Sequence, residues 1–403
     1  MDAIMKESCA KKTLIPLRGY YLFNGMTGGI FNPYLSLLLV HNGFTSTEIG
    51  LVIATATLVG MIAQPLWGQL VDRFEITRSA LWLGALVPAM LVIFYNTTWI
   101  WVLFIVTVTS SFFSNPQTPI ADAYAITITR ASDTSYSTVR IFGSLGYATG
   151  AYLAGQFLTR FTVSILWLPR AVIGLFTVLT ALFLPRFTSS VRFKRAGLSG
   201  WHPFLSNRRF LLFLTGGFFL SAILTAYDTY FALAFREIGG PLNWTGVAFM
   251  IASLSNIPAM LLATRLIAKF GKEKTLLLAV LAYCTRFAVM AWLKIPILDV
   301  FIQILHGASF GFFYIAAVDY VSYLSPPDLQ ATGQSLFGMV CGGLAVMVGN
   351  FTNGVLLHRG GPSLMYGTDV FAAVLAGICF ALLALSATHT IQHANEVEDS
   401  VHS

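Results

Sequence analysis

TPIADAYAITITRASDTSYSTVRIFGSLGYATGAYLAG, residues 118–155, decides how this chain is read. It sets Asp122 and Arg140 inside two apolar stretches of membrane-crossing length. A charge at the centre of a membrane helix costs roughly 2.5–3.5 kcal/mol on insertion scales. Two opposite charges on adjoining helices offset part of that cost by facing each other. The same pair can also hold a polar solute or a proton. The stretch therefore predicts a membrane protein with a polar path through it.

The sequence on either side agrees. The chain has 403 residues, of which 56% are hydrophobic and only 10% charged, and its mean hydropathy is +0.73. Soluble domains carry about 25% charged residues, so most of this surface must face lipid. A spanning helix needs about 20 mainly apolar residues. Twelve such stretches are expected, at 14–40, 46–71, 79–95, 98–129, 137–159, 163–184, 209–235, 243–268, 275–293, 296–324, 330–356 and 364–386. Barrel strands would alternate over about 10 residues, which these runs do not. The fold class is an all-α, multi-pass integral membrane protein.

The formal charge of +7 is no nucleic-acid signature. With the N-terminus inside, the inner loops and tail hold fifteen Lys/Arg, against Arg160, Arg236, Lys294 and Arg359 outside. That bias predicts both termini inside. The first apolar segment has no small-residue cleavage site and is too long for a signal-peptide core, so it is expected to stay as a helix. Cys9, Cys284, Cys341 and Cys379 have no paired spacing and are expected as free thiols. No metal-ligand spacing, nucleophile–base motif or phosphate loop is present, which argues against an enzyme.

The longest polar stretch, 186–209, carries six basic residues and no acidic one. It divides the chain into a first six-helix bundle, 1–185, a linker at the inner surface, 186–208, and a second bundle, 209–388. A polar tail, 389–403, is expected to be disordered. The halves echo each other. Arg73-Phe74 after the second stretch returns as Lys269-Phe270 after the eighth, Asp122 as Asp319, and Phe142-Gly143 as Phe337-Gly338. Halves related along the membrane normal place a solute site between them. The echo also fails in places: Asp72 faces Ala268, and Arg140 faces Ser335.

Helical spacing groups the candidate site residues. Arg140, Ser144, Tyr147 and Ala151 share one face of the fifth stretch, and Asn115, Thr118, Pro119 and Asp122 one face of the fourth. Such a wall suits a polyol, which charges grip through hydroxyls and a ring stacks. It suits an aromatic acid almost as well, with Arg140 on the carboxylate. A buried ion pair that only locks two helices is the plain alternative. The second half offers Tyr227, Asp228, Asn256, Arg286, His306 and Asp319. Proton coupling needs a group that ionises in one access state and is neutral in the other. Asp228, His306 and Asp319 are its candidates, with Arg286 as counter-charge. Asp72 and Arg73, at an inner helix end, are expected to latch a gate. Gly143, Gly146, Gly150, Ala154 and Gly155, with Gly338, Gly342, Gly343 and Gly349, let helix backbones approach closely and are expected as packing surface.

Taken together, QPLWGQLVDR (64–73), NPQTPIADA (115–123), RIFGSLGY (140–147), TAYD (225–228), LLLAVLAYCTR (276–286) and LHGASFGFF (305–313) resemble the lactose-permease group of the major facilitator superfamily and its 3-phenylpropionate permease relatives. The resemblance runs over nearly the whole chain. It implies proton-coupled uptake by alternating access. It also implies solute binding by Asp122, Arg140 and Tyr147, helped by Asn256 and His306, with Arg286 tuning a proton site. The departures matter. Ser253 and Ser309 stand where the sugar permeases carry acids, the second being their proton carrier, and Gly342 stands where a lysine would pair with Asp228.

The leading expectation is a proton-coupled importer of a sugar or of an aromatic or other organic acid, with nucleosides third. It acts as a monomer in the bacterial inner membrane, its partners being the solute, protons and lipid, without nucleic acid, and with no cofactor beyond the proton gradient. An exporter of the same fold is the second reading, although such antiporters carry a Gly-Pro pair in the fifth helix that RIFGSLGYATGAYLAGQFL lacks. A non-transporting membrane receptor is the third.

Overall fold

The computed structural model describes the backbone over residues 2–185, 202–326 and 329–402, and side chains over 13–71, 73–185, 202–326, 329–330 and 332–386. The basic linker predicted at 186–208 therefore lies outside the described residues up to 201. The helices are α1 (Asp2–Phe31), α2 (Leu35–His41), α3 (Ser46–Phe74), α4 (Thr77–Leu91), α5 (Ile100–Ser114), α6 (Gln117–Ala131), α7 (Ser137–Phe157), α8 (Trp167–Leu182), α9 (His202–Leu205), α10 (Arg208–Glu237), α11 (Leu242–Phe270), α12 (Lys272–Trp292), α13 (Pro296–Phe301), α14 (Phe312–Leu324), α15 (Gln330–Phe337) and α16 (Ala345–His402).

Proline and glycine break the apolar runs where sequence alone suggested single spans. The first yields at Asn32–Tyr34, a 3₁₀ turn around Pro33, because proline lacks the N–H that an α-turn needs. The fourth yields at Asn115-Pro116, between α5 and α6. α16 is kinked at Gly360 and Gly361, the latter at φ +67, just before Pro362. That splits it into limbs 345–359 and 362–402. The second limb runs on to His402, so the tail is helical rather than disordered: IQHANEVEDSVH contains no glycine or proline to stop the turn. α3 starts on a capping box, with Thr45 Oγ1 accepting from the Glu48 N–H at 3.3 Å and Glu48 Oε2 accepting from the Thr45 N–H at 2.8 Å.

Eight helical stretches among the described residues are long and apolar enough to cross a membrane, and the last, Thr332–Ser386, holds two of the expected spans. The expected stretches 14–40, 98–129 and 137–159 fall outside these eight.

Helices α1–α8 pack mainly among themselves, with α7 along α1 and α4 against α8; α10–α16 do the same, with both α10 and α12 along α16. Between these halves run two seams, α7 against α11 and α3 against α16. Glycine permits the tightest approach: a methyl on Gly143, Gly146 or Gly150 of α7 would strike side chain or backbone, including Met26 of α1. Gly343 abuts Met61 and Gly349 abuts Ala222, while Gly338 and Gly342 meet nothing within 4 Å and take no part in packing. Cys284, Cys341 and Cys379 are free thiols.

Candidate solute site

A cavity of about 440 Å³ lies between the halves. From the first half it is lined by Tyr20, Tyr21, Asn24, Gly25 and Asn32 on or beside α1, Thr118 and Ala121 on α6, and Arg140, Gly143, Ser144 and Tyr147 on α7. From the second come Leu224, Tyr227 and Asp228 on α10, Phe249, Ala252, Ser253 and Asn256 on α11, then His306 and Phe310. A π-helical turn, Gly307–Gly311, follows His306. Gly307 sits so close to α11 that its N–H donates to Ser255 Oγ at 2.9 Å. This seats the His306 and Phe310 rings, stacked 5.8 Å apart, at the wall. Wide turns of this kind recur at functional sites.

The charges are arranged otherwise than the sequence suggested. Asp122 and Arg140 do not form a direct ion pair. The Asp122 carboxylate is half-buried and accepts a hydrogen bond from the Tyr21 hydroxyl. Arg140 turns to the cavity, and among the described residues its guanidinium has no hydrogen-bond or carboxylate partner. Across the cavity stands Asp228. One half thus contributes an unpaired cation and the other an anion.

The remaining predicted residues divide clearly. Ser144, Tyr147, Asn256 and His306 line the cavity, and Asn256 Oδ1 and His306 Nδ1 are buried without a partner. Asn115 does not reach it. Its amide lies over α3, 3.4 Å from the Ala56 carbonyl and against Gly60, where it packs the break between α5 and α6. Arg286 is fully buried behind the wall, 4.0 Å over the Tyr227 ring, and donates to Gln303 Oε1 from Nε at 2.9 Å and Nη2 at 2.6 Å. Asp319 lies outside the cavity, half-exposed, 3.6 Å from Lys272. Arg73 lies over the Phe74 ring as Lys269 does over Phe270, so the sequence echo is also a structural one. The Asp72 side chain lies outside those described. Ser309 is buried and donates to the His306 carbonyl of its own helix.

Residues 14–368 match the MFS_1 like family. The chain belongs to that family. It is a major facilitator transporter of the lactose-permease-like branch, a multi-pass cell-membrane protein and not an enzyme. It is 28% identical to the maltose permease of Geobacillus stearothermophilus over 94% of this chain and 95% of that one. It is 25% identical to the probable 3-phenylpropionic acid transporter of Escherichia coli (strain K12), over 75% and 80%. The crystal structure of the nucleoside transporter NupG superposes with a TM-score of 0.82 at 17% identity, covering 92% of this chain and 98% of that one.

In this transporter one tyrosine–glycine contact between the halves occurs twice. The Tyr34 hydroxyl donates to the Ala151 carbonyl of α7 at 3.0 Å, tucked where Gly155 crosses Gly246 of α11. The Tyr230 hydroxyl donates to the Asn350 carbonyl of α16 at 2.8 Å, tucked where Gly354 crosses Gly50 of α3. Tyr230 and Gly246 follow Tyr34 and Gly50 by 196 residues, and Asn350 and Gly354 follow Ala151 and Gly155 by 199. A methyl on Gly155 would lie 2.8 Å from the Tyr34 hydroxyl, and one on Gly50 2.8 Å from that of Tyr230. α6 and α14 pack chiefly within their own halves.

Sequence reasoning missed the α1 wall and these two clasps. Asn24, Gly28 and Asn32, four apart on one helical face, were the available signal for the first. The clasps needed the partner helices to be placed.

Proposed function

We propose that this transporter imports a neutral, hydroxyl-rich ring solute of the sugar class together with a proton. Twelve spans form two six-helix halves, 1–185 and 209–388, joined by the linker 186–208. Both termini, with the tail 389–403, lie inside. The halves rock about the central cavity by alternating access, the molecule working as a monomer on the proton gradient without a cofactor. On this topology the tyrosine–glycine clasps close the outer end, and the cavity opens inward.

The observation that carries the solute class is the cavity's balanced charge. Arg140 and Asp228 face one space from opposite halves, among tyrosines, amides and hydroxyls. An anion held by Arg140 would meet the Asp228 carboxylate across the cavity. A polyol satisfies both, accepting from one and donating to the other. The unpartnered guanidinium favours an aromatic acid as the second reading, provided Asp228 is neutral when it binds. Asp228 and His306 meet both solute and cavity water, so they are the groups through which a proton enters the site. The Lys272 contact of Asp319 supports a role at the inner gate, which Asp72 and Arg73 share at their helix end.

Uptake of labelled maltose and 3-phenylpropionate into proteoliposomes tests the reading. Maltose is expected to accumulate, and a protonophore to abolish that accumulation. Accumulation of 3-phenylpropionate alone would replace the solute class, and accumulation indifferent to the protonophore would remove the proton.

A further inference from the structure

A second, smaller cavity lies inside the first half, between α1, α4 and α8 and beside the break between α5 and α6. It measures about 30 Å³, and its polar lining is Asn24, Thr27, Ser114, Gln117, Arg170 and Thr177. Asn24 borders both this space and the solute cavity. Arg170 is the one charged residue in its wall. That side chain turns into the bundle, its guanidinium 4.3 Å over the Phe31 ring and Nη1 donating to the Thr27 carbonyl at 3.1 Å. Nε is buried without a partner. Among the described residues Nη2 makes no hydrogen bond, and no carboxylate forms a salt bridge with the guanidinium.

A guanidinium does not shed its charge at any pH a cell meets. Charges inside a protein are paired as a rule, and a carbonyl and a ring face leave this one without a counter-ion. The solute is not that counter-ion, because Arg170 does not line the solute cavity. The rest of the small cavity suits an anion. The Thr27 and Thr177 hydroxyls give their hydrogens to the Asn24 and Ile173 carbonyls, and the Gln117 amide donates to the Leu81 carbonyl at 3.1 Å. The Asn24 amide and the Ser114 hydroxyl make no hydrogen bond among the described residues. The donors open to a ligand are therefore the guanidinium, one amide and one hydroxyl. Size narrows the choice. One water needs about 10–15 Å³ of such space, so there is room for about two water-sized spheres. A single-atom anion fits, whereas an oxyanion such as sulfate carries more atoms than the space admits. We propose that this cavity binds one halide ion, chloride under physiological conditions, as the counter-ion of Arg170. The ion bridges α8 to α1 and α5. By holding the Asn24 amide it also fixes one residue of the solute-cavity wall.

The site is independent of the solute class and of proton coupling. Thermal unfolding of the purified transporter without solute, with chloride replacing gluconate at constant ionic strength, tests it. Tm should rise with chloride concentration, because a ligand of the folded state stabilises by mass action. Bromide should act like chloride, and sulfate should not reproduce the rise. Arg170→Gln should lose the chloride response, and Ser114→Ala should need more chloride for the same rise. A wild-type Tm indifferent to chloride would mean that water alone fills the cavity, and an equal response in Arg170→Gln would put the ion elsewhere. Either result overturns the proposal. Should Arg170→Gln fail to fold, crystals of the wild type grown in bromide decide instead. An anomalous peak is expected in the cavity beside Arg170, and a cavity without one would overturn the site.

Discussion

The two halves of the molecule agree where they close and differ where they bind. Tyr34 and Tyr230 make the same hydrogen bond, to carbonyls at equivalent places on α7 and α16, under equivalent glycine crossings. At the polar positions the repeat breaks. On the 199-residue register of α7 on α16, Arg140 of the first half corresponds to Met339 of the second. Arg170 of α8, held 4.3 Å over the Phe31 ring and donating to the Thr27 carbonyl at 3.1 Å, corresponds to Asp369, 199 residues on. At the cavity the first half presents Arg140 and the second Asp228.

The largest expected effect comes from spoiling one closure and not the other. Gly246→Leu overfills the Tyr34 clasp, and overpacking costs about 1–3 kcal/mol. That is about a five- to hundredfold loss of the closed form. Alkylation of a cysteine replacing Asn32 by an impermeant reagent added outside should rise accordingly. Unchanged labelling would mean that this crossing does not seal the cavity. Next comes Arg140→Lys, which keeps the charge but loses the planar fork. Hydrogen bonds to charged groups contribute about 1.5–3 kcal/mol, so uptake should fall about tenfold or more while the protein still inserts. Uptake at the wild-type rate would remove Arg140 from the site.

How far the sequence reached is itself a contrast between the halves. Nine of the twelve expected apolar runs fall in helical stretches long and apolar enough to cross a membrane, because lipid imposes length and composition on each helix separately. Periodicity then places Arg140, Ser144 and Tyr147 on one face, and all three line the cavity. It could not show that Tyr21 of α1 takes the Asp122 carboxylate, which leaves Arg140 free. A shared helical face says nothing about which neighbour it meets. Asn115 illustrates the same limit, since the Pro116 break turns it toward α3. Asp299, Gln303 and Asp369 passed unremarked because each is a lone polar residue in an apolar run.

Smaller effects sharpen the comparison further. Tyr34→Phe and Tyr230→Phe each remove one buried hydrogen bond, worth about 0.5–1.5 kcal/mol net. Each should raise the same cysteine labelling about two- to tenfold. The two changes should act alike, and a response confined to one would show that the clasps are not equivalent. Asp319→Asn should do least. Its contact with Lys272 is half-exposed, and such pairs are worth about 0.2–1 kcal/mol. Maltose uptake should change by less than about fivefold, whereas a complete loss would return Asp319 to the proton path.

The central claim is that one cavity between the halves, with Arg140 free on one side and Asp228 on the other, holds a neutral polyhydroxy solute. Thermal unfolding of the purified transporter with and without maltose tests it most directly, because a ligand of the folded state stabilises by mass action. The Tm of the wild type should rise with maltose concentration, and that of Arg140→Ala should not. The same rise in both proteins, or a rise with 3-phenylpropionate and none with maltose, would contradict it.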